Sequence, residues 1–146
     1  MRNSVHVRLV THAKQRERAF DIRRRVFQDE QHVPAEEEFD TDDDRATHVL
    51  ADISGAPVGT GRIVFHPTYA KIGRMAVLSE WRRHGVWRAI MEKLLHIARD
   101  RRVTRVVLHA QVHAIGFYEA VGFRVAGDQF QEAGIPHRRM QRSLTA

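Results

Sequence analysis

"SEWRRHGVWRAIMEKLL", residues 79–95, decides the fold: an arginine-rich loop, one glycine and then a long helix. Val86, Ile90, Leu94 and Ile97 recur at helical spacing, and Trp87, Met91 and Ala98 widen the stripe. A helix from Gly85 to about Arg101 therefore buries one face. "YAKIGRMAV" (69–77) precedes it and "TRVVLHAQ" (104–111), rich in β-branched residues, follows it. Both read as strands, and a strand, a crossing helix and a second strand make a βαβ unit. Those two strands are expected to run parallel with a right-handed crossover.

Toward the N-terminus, "VHVRLV" (5–10) is a short strand. Ala19, Ile22 and Val26 align with Phe20 and Phe27, which predicts an amphipathic helix from Ala13 to about Gln28. "QDEQHVPAEEEFDTDDDRA" (28–46) reads as a solvated acidic loop interrupted by Pro34. "ATHVLADI" (46–53) and "VGTGRIVFH" (58–66), joined by the turn "SGAP", form an antiparallel meander with strand 69–77. Toward the C-terminus, "HAIGFYEAV" (113–121) is a short helix that Gly122 caps. Strands "FRVAGDQF" (123–130) and "HRRMQRSL" (137–144) bracket the turn "QEAGIP". The order β-α-β-β-β-α-β-α-β-β describes a mixed α+β sheet with one parallel unit in its middle.

The 146 residues contain no repeat and no linker, so one domain over 1–146 is expected. At 42% hydrophobic and 29% charged residues the composition is that of a folded chain, not a disordered one. The absence of cysteine excludes disulfides, thiolate-bound zinc and a cysteine nucleophile. The segment "MRNSVHVRLV" is too polar for a signal peptide, and no apolar run approaches the ~18 residues of a membrane span. A cytoplasmic location is expected. The net charge is +6, and of 24 basic residues only Lys14, Lys71 and Lys93 are lysines. Arginine suits a polyphosphate or nucleic-acid partner, and codon bias accounts for the excess equally well.

An uncapped helix start behind basic residues is an anion seat, and Gly85 lets the backbone approach closely. Trp87 is discordant, because a phosphate-cradling turn takes a small residue there. Asp40, Asp42 and Asp44 have calcium-loop spacing, yet Arg45 and Ala51 stand where glycine and glutamate are required. His109 and His113 straddle a strand-to-helix junction without a third ligand, so no metal is expected. No Gly-x-Ser-x-Gly elbow is present. The aromatics fall at core positions and no helix-turn-helix or RNP pattern is found, so nucleic acid is not expected as a partner.

"IGRMAV", "RRHGVWRAIM" and "HAQ…GFYEAVGF" together resemble the GNAT acetyltransferase superfamily over nearly the whole chain; "EQHVP", "HAQ" and "EAGIPH" are similar to its ElaA-like branch. The resemblance implies the acyl-CoA N-acyltransferase fold: a mixed, mostly antiparallel twisted sheet with a central parallel βαβ unit and helices on both faces. It implies direct transfer from acetyl-CoA to a primary amine, without metal. By resemblance the pyrophosphate motif falls on Arg82, Arg83, His84, Gly85, Val86 and Trp87, with Arg88 adding charge. Arg83 replaces a frequent glycine, and Trp87 replaces the final small residue. The indole is expected beside Met91 with its N–H free for phosphate; the alternative is that it fills the pyrophosphate's space.

The resemblance also gives Met75, Ala76 and Val77 to the pantetheine arm and the oxyanion, with Gln111, Phe117 and Tyr118 lining that arm. Tyr118 matches the general acid to the leaving thiolate. Phe117 and Phe123 are expected in the core. Glu30, Glu132, His109, His113 and His137 are candidates for the base; Glu132 and His137, in "QEAGIPH", join Tyr118 as the expected catalytic set. Ala133 stands where the branch often has an acid. Glu36, Glu37 and Glu38 are expected to attract a cationic amine. A homodimer through the terminal strands is common among relatives. Two rival readings are a CoA-sensing module disabled by Trp87 and a basic nucleic-acid-binding domain.

Overall fold

The computed structural model describes residues 4–144. Short turns return β2 (Thr47–Ile53), β3 (Ala56–Phe65) and β4 (Ala70–Val77) beside one another as an antiparallel meander. β1 (Val5–Leu9) adds to the free edge of β2. α3 (Val86–Asp100) then crosses the sheet, so β5 (Arg105–Gln111) lies parallel to β4 as expected. β6 (Arg124–Glu132) and β7 (Ile135–Ser143) form a hairpin whose second strand inserts against β5. The seven strands run in the order β1-β2-β3-β4-β5-β7-β6.

α3 packs almost onto the backbone of β3. A Cβ at Gly59 or at Gly61 would stand 2.8 Å from a carbon of Ile90, so only glycine lets the helix approach this closely. Ile90, Met91 and Leu94 fill the resulting core with Val49, Ile63, Ile72, Leu108 and Met140. α1 (Ala13–Arg23) covers the opposite face, placing Ala19 and Ile22 against Leu50, Ala76 and Leu78. Helices thus lie on both faces, as the resemblance implied.

Three local expectations change. The first helix does not run unbroken to Gln28; it widens into a π-helical turn over Arg24–Glu30, with the Gln31 N–H reaching back to the Val26 carbonyl at 3.1 Å. Long-range partners compensate for the poorer geometry, since Glu30 meets Arg82 and Gln31 meets Gln111.

The acidic segment is not a solvated loop. It folds into α2 (Ala35–Glu38) and a 3₁₀ turn (Thr41–Asp44), which bury Glu38 and Asp43. Arg23, only 1% exposed, donates to Glu38 Oε1 at 2.6 Å and to Asp43 Oδ1 at 2.7 Å. Arg62 on β3 donates to Asp40 and Asp43, both at 2.7 Å, and Arg74 on β4 reaches Asp40 at 3.1 Å. Five elements are tied by one charge cluster, which is why these acids leave water.

The last hairpin is also tighter than expected. Ala133 and Gly134, at φ +52° and +73°, make the whole turn, so β6 reaches Glu132 and β7 begins at Ile135. α4 (Ile115–Ala120) follows one 3₁₀ turn and ends at Gly122 as predicted, with φ +94° and its N–H bonded to the Glu119 carbonyl. Among the described residues no helix is long and apolar enough to cross a membrane.

Candidate active site

β4 and β5 pair only at Ala70–Val106 and Lys71–Val107; beyond those pairs each strand continues without the other. A register shift against β3 and a φ of +50° at Arg74 accompany the divergence, a bulge of the kind that re-aims a strand beside a site. A cavity of about 950 Å³ occupies and surrounds the gap. Its lining includes Met75, Ala76, Val77, Gln111, Phe117 and Tyr118, which the resemblance had brought together from three elements.

One end of the cavity is the loop before α3. Gly85 takes φ +79°, and no atom lies within 4 Å of where a Cβ would stand, so the cradle is clear. α3 has no side-chain cap, and its first backbone bond runs from the Ala89 N–H to the Gly85 carbonyl. The N–H groups of Val86, Trp87 and Arg88 therefore lack intrahelical acceptors, and the helix dipole favours an anion there. This cradle fits a diphosphate.

The arginines divide their work differently from expectation. Arg82 forks onto Glu30 with two bonds of 2.8 Å and donates from Nε to the Val77 carbonyl at 3.1 Å. It braces the loop against the π-helical turn and occupies a carbonyl that the pantetheine arm was expected to use. The Arg82 hydrogen bond holds the Glu30 carboxyl below its ordinary range, which makes it a poor proton acceptor. Arg83 is exposed at φ +67°. His84, also exposed, has its ring edge-on to Trp81 at 5.6 Å between centroids, and Arg88 pairs at the surface with Glu92.

Trp87 packs against the core cluster that holds Met91. Its ring leans toward α4 and meets Tyr118 edge-on, 5.2 Å between centroids at 72°, with Phe117 at 6.1 Å. It does not close the cradle at Gly85. Two aromatic neighbours from α4 help to hold the indole there. Phe117 is 66% exposed and sits on the rim rather than in the core, whereas Phe123 is buried as expected. Burial pushes the Tyr118 phenol up to about 12, and the Trp87 indole N–H near its oxygen offsets part of that rise.

The other end of the cavity gathers His109, Glu132 and His137 from β5, β6 and β7. His109 Nδ1 lies 2.9 Å from Glu132 Oε1. His137 Nδ1 donates to the Ile135 carbonyl at 2.7 Å and presents Nε2 to Glu132 Oε2 at 3.6 Å. The His109 hydrogen bond, against the penalty of burial, brings the Glu132 carboxyl down to about 2, with His137 and Lys71 adding in the same direction. His113 also lines the cavity, and Gln111 donates to Gln31 at 3.0 Å across it. No group of three or more potential metal ligands occurs among the described residues. Sequence reasoning passed over Lys71, Arg62 and Arg74 on the cavity wall; strand alternation placing Lys71 beside Gly73's face was the available signal.

Residues 10–144 match the acetyltransferase (GNAT) domain family. The uncharacterized N-acetyltransferase YjcF of Bacillus subtilis is 39% identical over 125 residues, 85% of this chain and 89% of its own. Escherichia coli ElaA superposes with a TM-score of 0.84 at 26% identity, covering 95% of this chain and 99% of that one. An acyl-CoA N-acyltransferase from Pseudomonas aeruginosa superposes at 0.83 with 26% identity, over 96% and 99% of the two chains. With a family match running from Val10 to Leu144 over this split sheet, the chain belongs to the GNAT acetyltransferases.

Proposed function

We propose that this acetyltransferase seats acetyl-CoA across the β4–β5 gap, diphosphate at the start of α3, and acetylates a primary amine approaching from the His109 side. Acetyl-CoA supplies the acyl group as a thioester. His109 takes the proton that the ammonium must lose before its nitrogen can attack. Its Nδ1–H is held by Glu132, so Nε2 carries the free lone pair, the arrangement of a carboxylate-oriented base. Glu132 is a positioning residue: a carboxyl near 2 is too weak a base to remove the proton itself. His137 is fixed by its bond to the Ile135 carbonyl and stands 3.6 Å from the far oxygen of Glu132.

Tyr118 donates its phenolic proton to sulfur as the C–S bond breaks. Its raised pKa keeps that proton in place throughout the neutral range. Backbone N–H groups of Met75 to Val77 receive the negative charge that develops on the carbonyl oxygen. Arg83 and the amides of Val86, Trp87 and Arg88 hold the diphosphate, while Phe117 and Gln111 line the arm. The observation that carries this reading is one cavity with a protonated phenol and a carboxylate-held imidazole at its wall, opening where β4 and β5 part.

The test compares wild type with Tyr118→Phe and His109→Gln. Acetyl-CoA binding is measured by calorimetry, and thiol release with a panel of primary amines. Both variants should bind acetyl-CoA within a few-fold of wild type while turnover falls by about 10²–10³. Turnover unchanged in either variant removes that residue from the mechanism. Tight binding without thiol release from any amine overturns catalysis at this site.

A further inference from the structure

Six cations line the cavity: Arg62, Lys71, Arg74, Arg82, Arg83 and Arg88. Four have partners. Arg62 holds Asp40 and Asp43, Arg74 holds Asp40 and the Glu38 carbonyl, Arg82 holds Glu30 and Arg88 holds Glu92. Arg83 lies beyond the far end of β4, in the loop that cradles phosphate. Lys71 remains, with no hydrogen bond or ion pair among the described residues.

Lys71 stands in the last pair of the β4–β5 ladder, opposite Val107, where the gap begins. His109 follows two residues along β5 on the same face, an advance of roughly 7 Å. A small molecule can therefore touch both. Glu132 is turned to His109, bonded at 2.9 Å, and no ion pair joins it to the ammonium among the described residues. Burial pulls the Lys71 pKa below its ordinary value; Glu132 and Asp42 oppose this, and Arg74 and Arg62 reinforce it. Arg62 and Arg74 are already paired, so Lys71 is the ammonium on this stretch of wall left to meet an anion, and a second ammonium on the acceptor would face it.

We infer that the acceptor carries a carboxylate beside its amine, as an amino acid does, and that Lys71 binds that carboxylate while His109 receives the amine. This rests on the acetyl transfer proposed above. It sets aside polyamines, whose charge has the wrong sign, and peptide N-termini, whose carboxylate lies far from the amine. Lys71 is a specificity residue and takes no part in bond making.

The experiment has a binding arm and a turnover arm. With protein saturated in CoA, calorimetry compares N-acetyl amino acids with their own primary amides. The matching acid should bind about tenfold or more tighter than its amide, the worth of one charge-assisted bond, and Lys71→Gln should abolish the preference. Lys71→Arg should retain it, which separates loss of charge from loss of fold. In turnover, Lys71→Gln should raise KM for the amino acid about tenfold or more and leave the decarboxylated amine within a few-fold. Equal binding of acids and amides across the panel, a preference that survives Lys71→Gln, or faster turnover of the decarboxylated amine overturns the inference. So does mass spectrometry finding the acetyl group on Lys71 itself, one of only three lysines to search. Failure to bind acetyl-CoA defeats instead the reading beneath it.

Discussion

Replacing Asp43 by asparagine should remove the keystone of the buried charge cluster. Burial by itself would raise this carboxyl, but Arg23 and Arg62 override it and bring it from 3.8 to about 2. That difference corresponds to roughly 2.5 kcal/mol of folding stability at neutral pH. The sign follows from the direction: a depressed carboxyl contributes fully above its unfolded value and loses its contribution as pH falls through the folded one. Asp43→Asn also leaves Arg23 and Arg62 each short of a charged partner at 2.7 Å, so a loss of about 3 kcal/mol is expected. For a chain of this size the midpoint of thermal unfolding should fall by roughly 10 °C. Urea denaturation of both proteins from pH 7 downward is the assay. Their difference should be constant above about pH 5, near half by about pH 3 and small by about pH 2. A difference that stays the same from pH 7 to pH 3 would refute the assignment of Asp43 as an ionised partner.

Arg83→Gly should raise stability by about 1 kcal/mol, because the residue sits at φ +67° with a Cβ, while weakening acetyl-CoA binding through loss of charge; lower stability would contradict the strain. Gly61→Ala should cost about 1–3 kcal/mol, since its methyl group would meet Ile90 at 2.8 Å, and a neutral result in urea would mean that α3 lifts freely from β3. With the Tyr118 phenol near 12, no alkaline loss of kcat below about pH 11 should trace to this residue; a wild-type limb near pH 9 that Tyr118→Phe alone removes would show a lower phenol pKa.

The order of elements was legible because each periodic stretch signals itself locally: the stripe of Val86, Ile90 and Leu94 implies the crossover, and the crossover implies the parallel pair. The open, uncapped start of α3 was legible for the same reason, with Gly85 and the helix adjacent in the chain. The charge cluster was not. Arg23 finds Glu38 fifteen residues away and Asp43 twenty away, and nothing near either acid distinguishes it from the solvated acids beside it. The aromatic partners of Trp87 were not legible because Phe117 and Tyr118 come from α4, on a later element. Which of the five candidate bases meets a carboxylate was not legible until β5, β6 and β7 brought His109 against Glu132.

A sheet stitched across its middle by two residue pairs is two half-sheets sharing a seam. Whatever spans that seam becomes an architectural member of the protein, not a passenger. At a hundredfold excess over Kd, such a ligand adds about 2.7 kcal/mol by mass action alone. For the acetyl-CoA proposed to lie there, resistance to unfolding and proteolysis should rise and fall with its supply.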